Sequence, residues 1–232
     1  ADDALFQWAV QLYSDGDYAD ASQRFGELLE RFPQSPLRSK ARLGLGWVEY
    51  HLEDYAAAER AFQALADEPE IGNEATYWLG LTLKAQEKWQ PAADTLREVA
   101  QHEASWQVPA QYHAAEALVQ LDRANEADEL FQAVAEHAES EWADDAILAL
   151  AREAFEANQY EEVDRLAERL VSEHADSELI GHIESIRARS LLRRKDYDTA
   201  ATLLESLSID GSSDVSQNED GHARTIDGWT NR

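Results

Sequence analysis

The sequence predicts an all-α solenoid of about six helix-turn-helix repeats, and three observations carry that prediction. A short phrase recurs six times: an aromatic residue, then a small residue three positions on, then an apolar residue four positions further. The copies are Tyr18-Ala21-Phe25, Tyr55-Ala58-Phe62, Trp89-Ala92-Leu96, Ala124-Ala127-Phe131, Tyr160-Val163-Ala167 and Tyr197-Ala200-Leu204. The interval is nearly constant, with gaps of 37, 34, 35, 36 and 37 residues between the middle positions. A second set of small residues keeps the same phase upstream: Ala9, Gly46, Gly80, Ala115, Ala151 and Ala188. Internal repeats of this length are stacked units that cannot bury an apolar face alone. Stacking gives an extended surface suited to holding another molecule, which points away from catalysis.

Each repeat divides into two amphipathic helices, because apolar residues fall three and four apart over about fourteen positions. Repeat 1, over about 2–35, shows its second half in Gly16-Asp17-Tyr18, Ala21, Phe25, Leu28 and Pro33. The junction Arg31-Phe32-Pro33-Gln34-Ser35-Pro36-Leu37 ends one helix and opens the next, with Ser35 expected as N-cap and Pro36 at the first helical position. Repeat 2 (36–69) reads Leu43-Gly44-Leu45-Gly46-Trp47, Tyr50, Asp54-Tyr55, Ala58, Phe62 and Leu65. Repeat 3 (73–106) reads Tyr77-Trp78-Leu79-Gly80 and Leu83, a polar break at Gln86–Lys88, then Trp89-Gln90-Pro91-Ala92. The small residue in each first helix lets the second approach closely.

Repeats 4 (107–140), 5 (141–176) and 6 (177–207) keep the phase with departures: Ala124 replaces the aromatic, Ala167 the large apolar residue, and Arg187 an expected core leucine. Glu139-Ser140-Glu141 and Asp176-Ser177-Glu178 stand at junctions matching that around Ser35. After Leu207 the period stops, and 208–232 reads as an acidic flexible tail or linker. Asp210, Ser212 and Asp214 have the alternation of a calcium loop, but Val215 sits where the turn needs glycine and Gly221 where the loop needs glutamate. Ile226 and Trp229 could dock on the last helix pair or on a partner.

The Leu-Gly, Tyr, Ala, Phe and Pro positions resemble the tetratricopeptide repeat, whose period is about 34 residues. The resemblance covers residues 2 to 207 and implies a right-handed superhelical solenoid whose first helices line a concave groove. The Phe-Pro-x-Ser-Pro junction, followed by Ala41-x-x-Gly44-x-Gly46, is closest to the bacterial cell-envelope members, of the outer-membrane-assembly lipoprotein and periplasmic division-coordinator type. That implies a periplasmic or envelope setting, with the cytoplasm as the alternative. Ala1-Asp2-Asp3-Ala4 suits the residues after a signal-peptidase cut, and an excised segment would look the same.

Composition narrows the partners. The net charge is −27, from 47 acidic against 20 basic residues. Such a surface repels a phosphate backbone, so no nucleic-acid partner is expected. Anionic membrane is disfavoured for the same reason, and no stretch approaches the ~20 apolar residues of a membrane span, so direct membrane insertion is not expected. A lysine-poor acidic surface suits a salt-adapted protein; a simply acidic, solvated outer face accounts for it as well. Without cysteine there is no disulfide framework or thiolate site.

Chemistry is not visible. The histidines at 51, 102, 113, 137, 174, 182 and 222 never show the His-x-x-x-His spacing of two ligands on one helical face. His137 and His174 fall near helix ends, where capping explains them. No Gly-rich phosphate loop or nucleophile motif occurs, so no cofactor, metal or enzymatic activity is expected.

Transferred by repeat phase, the groove of the resemblance would be lined by Phe6, Val10 and Tyr13, then Leu43, Trp47 and Tyr50, then Tyr77 and Leu81, Tyr112, and finally Leu148, Arg152 and Phe155. Leu43, Leu81 and Leu148 read as core. For Trp47, Tyr50, Tyr77 and Tyr112, closing the helix pair competes with contacting a partner. The candidate binding set is therefore Phe6, Tyr13, Trp47, Tyr50, Tyr77, Tyr112, Arg152 and Phe155. Aromatic anchors in an acidic field favour an apolar or basic segment of a partner protein or peptide. The family's carboxylate clamp is not expected, because its positions hold Phe6, Val10, Lys40, Gly44, Glu74 and Trp78, of which only Lys40 fits. Arg187, Arg189, Arg193, Arg194 and Lys195 form the one basic cluster, neutralised by Glu184, Asp196 and Asp198, or receiving an acidic partner or the protein's own Asp214 to Asp220 tail. The alternative function is self-association, as a homodimer or as a spacer module of a larger protein.

Overall fold

The computed structural model describes residues 1–101 and 105–209. The tail from 210 onward, with the calcium-loop candidate, Ile226 and Trp229, lies outside the described residues, as do His102 and His222. The described residues form twelve α-helices: α1 Asp2–Ser14, α2 Tyr18–Arg31, α3 Arg38–His51, α4 Tyr55–Gln63, α5 Gly72–Ala85, α6 Trp89–Ala100, α7 Gln107–Val119, α8 Ala124–Ala135, α9 Ala143–Glu156, α10 Tyr160–Glu173, α11 Ile180–Arg193 and α12 Tyr197–Ile209. They are six consecutive helix pairs, as the repeat demands, in an all-α helical solenoid.

The chain divides into two compact units, Ala1–Glu153 and Ala154–Arg232. In the first, each helix from α1 to α8 packs on its chain neighbour, and α1, α3, α5 and α7 also touch one another in succession. The first helices of this unit therefore form one layer and the second helices another. In the second unit α11 packs between α10 and α12.

The turn inside each pair follows one rule. A single residue per pair has positive φ: Gly16 (80°), Glu53 (61°), Glu87 (57°), Asp122 (57°), Asn158 (59°) and Lys195 (65°). A left-handed residue after the helix lets the next N–H reach back five residues and satisfy a terminal carbonyl. Asp17 N–H donates to Leu12 O at 2.8 Å, Lys88 N–H to Leu83 O at 2.9 Å, Arg123 N–H to Leu118 O at 3.0 Å, Gln159 N–H to Ala154 O at 2.8 Å and Asp196 N–H to Leu191 O at 3.0 Å. Only the first of these turns uses glycine, which adopts such φ without steric cost.

The small residues do what their phase predicts. A Cβ on Gly46 would lie 2.5 Å from the Phe62 ring, and one on Gly80 would lie 2.5 Å from Leu96 Cγ. Ala9, Ala115, Ala151 and Ala188 are buried at the equivalent places, and so are all six middle residues, from Ala21 to Ala200. Phe25, Phe62, Leu96 and Phe131 fill the space between the layers of the first unit.

The junctions between pairs correct one expectation. Helix α3 begins at Arg38 after Leu37, so Pro36 stands in the preceding turn and not at the first helical position. Ser35 does not cap α3; its Oγ accepts from Leu37 N–H at 3.1 Å while its carbonyl accepts from Arg38 N–H at 3.1 Å. The same two-bond turn recurs at Ser140, whose Oγ accepts from Trp142 N–H at 3.2 Å, and at Ser177, whose Oγ accepts from Leu179 N–H at 3.1 Å. A serine hydroxyl bonding its own backbone two residues on tightens the chain before the helix starts.

Candidate partner-binding face

The first-helix layer of the first unit carries a continuous run of aromatic side chains. On α1, Tyr13 lies 6.3 Å from Trp47 of α3 between ring centroids, and its hydroxyl lies 2.9 Å from His51 Nε2. His51 in turn stacks on Tyr18 at 4.7 Å. On α5, Trp78 meets Trp47 at 6.3 Å, Tyr50 at 5.6 Å and Phe62 at 6.2 Å. Tyr77 stacks on Trp106 at 4.8 Å, and Tyr112 of α7 lies 5.0 Å from Trp142. His113 joins these two steps, 6.0 Å from Tyr77 and 5.0 Å from Trp142. Aromatic contacts at these separations, edge-to-face or offset, add to the energy of simple burial.

Burial separates the anchors from the scaffold. Trp47 and Tyr77 are each only 5% exposed and Phe6, against Phe25, 6%. Tyr13, Tyr50 and Tyr112 are half-buried and Arg152 is exposed, so these four offer the accessible surface among the sequence candidates. Phe155 belongs to the second unit, where it is 7% exposed and covered by the Arg189 guanidinium at 4.5 Å. The tyrosine hydroxyls sit in low-dielectric surroundings. Burial raises the pKa of Tyr13, Tyr50, Tyr77 and Tyr112 above the ordinary phenol value, and neighbouring Glu116 adds to the rise at Tyr77 and Tyr112.

Three polar groups break the apolar run between α5 and α7. Glu116 Oε2 accepts from Lys84 Nζ at 2.6 Å and lies 2.6 Å from His113 Nδ1. Burial alone would raise the Glu116 carboxyl, but His113 and Lys84 outweigh it and hold it at about 2. Burial also pulls His113 below its usual value against the opposing pull of Glu116, while Glu116 is ionised against Lys84. Nearer the start of α5, Glu74 is half-buried without a hydrogen-bond or ion-pair partner among the described residues, and desolvation lifts its carboxyl to about 7. Among the described residues no group of three or more His, Asp or Glu side chains is placed to hold a metal ion.

Sequence reasoning missed Trp106 and Trp142, which stand just before α7 and α9. Their signal was available: the two occupy the same repeat phase, each about thirty positions after the tyrosine it contacts. Two residues of the basic cluster of the last repeat, Arg187 and Arg194, are paired, largely by α10. Arg187 bonds Asp164 at 3.2 Å and lies 3.3 Å from Glu168, and Arg194 bonds Asp164 at 2.6 Å. Of the expected neutralising residues, Glu184 contributes at 3.5 Å from Arg187. Arg187 takes a core leucine's phase because its charge is met across the helix interface.

A family model described as the tetratricopeptide repeat matches residues 6–70 and 52–109. No curated protein matches the chain. Among solved structures, a tetratricopeptide repeat protein from Parabacteroides merdae ATCC 43184 superposes with a TM-score of 0.71 at 15% identity, covering 90% of this chain and 79% of that one. PilF of Pseudomonas aeruginosa gives 0.68 at 17% identity, over 91% of this chain and 92% of that one. PilW, described as a widely conserved type IV pilus biogenesis factor, gives 0.68 at 15% identity, over 91% and 94%. At these identities the likeness is one of fold. The matched repeats over residues 6–109 and the six helix pairs support the tetratricopeptide-repeat family for this chain. Proteins of this family generally mediate protein–protein interaction and are typically non-catalytic scaffolds. No helix among the described residues is long and apolar enough to cross a membrane.

Proposed function

We propose that the chain is a non-catalytic scaffold that holds a segment of a partner protein against the concave, first-helix face of its first unit. The observation that supports this most is the set of half-buried aromatics Tyr13, Tyr50 and Tyr112, in ring contact with Trp47, Trp78 and Trp142 respectively. Aromatic side chains with one face packed and one face accessible give large contact area at low entropic cost. The surrounding acidity favours an apolar or basic segment over an acidic one. We place the protein in the bacterial cell envelope; the fold likeness to PilF and to the pilus biogenesis factor PilW supports that setting, since a pilus is assembled through the envelope.

The test is selection of binding peptides from a random library, followed by calorimetric titration against single variants. Tyr50→Ala and Tyr112→Ala should weaken selected peptides about tenfold or more, while Glu129→Ala, on the exposed surface of α8, should leave them unchanged. Peptides indifferent to both tyrosines would remove this face as the binding surface. Self-association is the second reading, favoured by the same aromatic face. Light scattering would then give a dimer that Tyr50→Ala/Tyr112→Ala dissociates.

A further inference from the structure

The two Tyr–Trp contacts are one arrangement used twice. Tyr77 and Tyr112 occupy the same repeat phase, and so do Trp106 and Trp142. At these two phases the other repeats carry aliphatic or mixed pairs: Phe6 with Leu37, Leu43 with Ile71, and Leu148 with Leu179. The repeat therefore accommodates aliphatic residues at these two phases, and the use of Tyr and Trp in two successive repeats needs another reason. The rings lie 4.8 Å and 5.0 Å apart, and Trp106, Tyr112 and Trp142 keep part of their surface accessible.

The charge around them is one-sided. Glu116 and Glu141 act on Tyr77, and Glu116, Asp144 and Asp145 act on Tyr112. The opposing cations are Lys84, bound to Glu116, and Arg152. Between Arg97 and Arg152 the sequence has a single Lys or Arg, Arg123, and it is bonded to Glu126 and Gln90. A π-face inside a negative field attracts a cation twice over, through the ring quadrupole and through the carboxylates. The protein already uses this contact internally, with Arg24 4.2 Å over Trp8 and Arg189 4.5 Å over Phe155.

We infer that the tandem steps Tyr77–Trp106 and Tyr112–Trp142 seat arginine or lysine side chains of the bound partner segment. The inference rests on the first-helix face being the docking face and adds what part of the partner is read there. The acidic rim draws the basic segment in, and the rings select a cation that can lie flat on them, which favours arginine.

The probe is a decapeptide of alternating arginine and alanine, titrated by calorimetry in 0.15 M NaCl beside its citrulline counterpart, which keeps the shape and loses the charge. The wild type should bind the arginine peptide at least tenfold more tightly than the citrulline peptide. Tyr77→Leu/Trp106→Ile and Tyr112→Leu/Trp142→Leu install pairs found in other repeats, so both should fold, and each should weaken the arginine peptide about tenfold. Trp106→Phe, which keeps a ring, should retain most of the binding. Equal binding by the wild type and both pair variants would mean that net charge alone attracts the peptide, and the seat would be discarded. In the wild type, peptide addition must also shift the Trp106 and Trp142 indole N–H resonances; unmoved resonances overturn the inference without any variant. Library-selected peptides that depend on Tyr50 but not on these pairs would keep the docking face and remove the cation seat.

Discussion

The turn residue inside each helix pair is the clearest single-residue determinant. Five of the six positive-φ positions hold residues with a Cβ, and each carries steric strain of about 1 kcal/mol that glycine would relieve. Glu53→Gly, Glu87→Gly and Asp122→Gly should each raise the free energy of unfolding by about 0.5 kcal/mol or more, measured by urea titration, whereas Gly16→Ala should lower it by about 1 kcal/mol. The half-buried Glu74 supplies a second residue-scale test. Its folded pKa, about 7, lies above the ordinary glutamate value, so the folded state holds the proton more tightly. Its effect is thus least unfavourable below the unfolded pKa, and stability falls as pH rises from about 4.5 through 7. Glu74→Gln should therefore be more stable than wild type at pH 8, and that advantage should close as pH falls to 5 in parallel thermal melts.

At the scale of the element, the repeat phase made the helix pairs legible because each pair needs one small residue facing one large residue. Gly46 against Phe62 and Gly80 against Leu96 realise that requirement directly. Gly80→Val should cost about 1–3 kcal/mol by overpacking against Leu96, and the added Leu96→Ala change should recover part of that loss, a coupling that a double-mutant cycle measures. The junctions were less legible. Serine next to proline signals a helix start, but in Ser35 the hydroxyl bonds a backbone N–H two residues on and delays the helix to Arg38. Trp106 and Trp142 escaped notice because they precede their helices, outside the amphipathic period that marks a core or groove position. Burial could not be read from phase either: Trp47 and Tyr50 belong to one helix face, yet the first is buried beneath Trp78 contacts and the second remains half-accessible.

For the whole molecule, charge is the dominant property. A net charge of −27 on 232 residues opposes compaction, and added salt screens that repulsion within about 10 Å at 0.1 M. The thermal midpoint should rise between 0.1 M and 1 M NaCl, and a flat response would mean that local pairs such as Arg187 with Asp164 already neutralise the relevant contacts. The same charge that destabilises the isolated chain favours a cationic partner, so binding of a basic segment should weaken with salt while folding strengthens. Those opposite slopes separate recognition from stability.

The most direct measurement of the central claim follows the indole N–H resonances of the seven tryptophans while a library-selected peptide is added. Trp47 and Trp78 lie in the first-helix layer of the first unit, and Trp106 and Trp142 border it. Trp89 belongs to a second helix, and Trp8 of α1, half exposed, faces Arg24 of α2. Binding in the proposed place should move the first four resonances and leave Trp8 and Trp89 unchanged. A shift of Trp89 with the first four unmoved would put the partner on the second-helix layer and contradict the account.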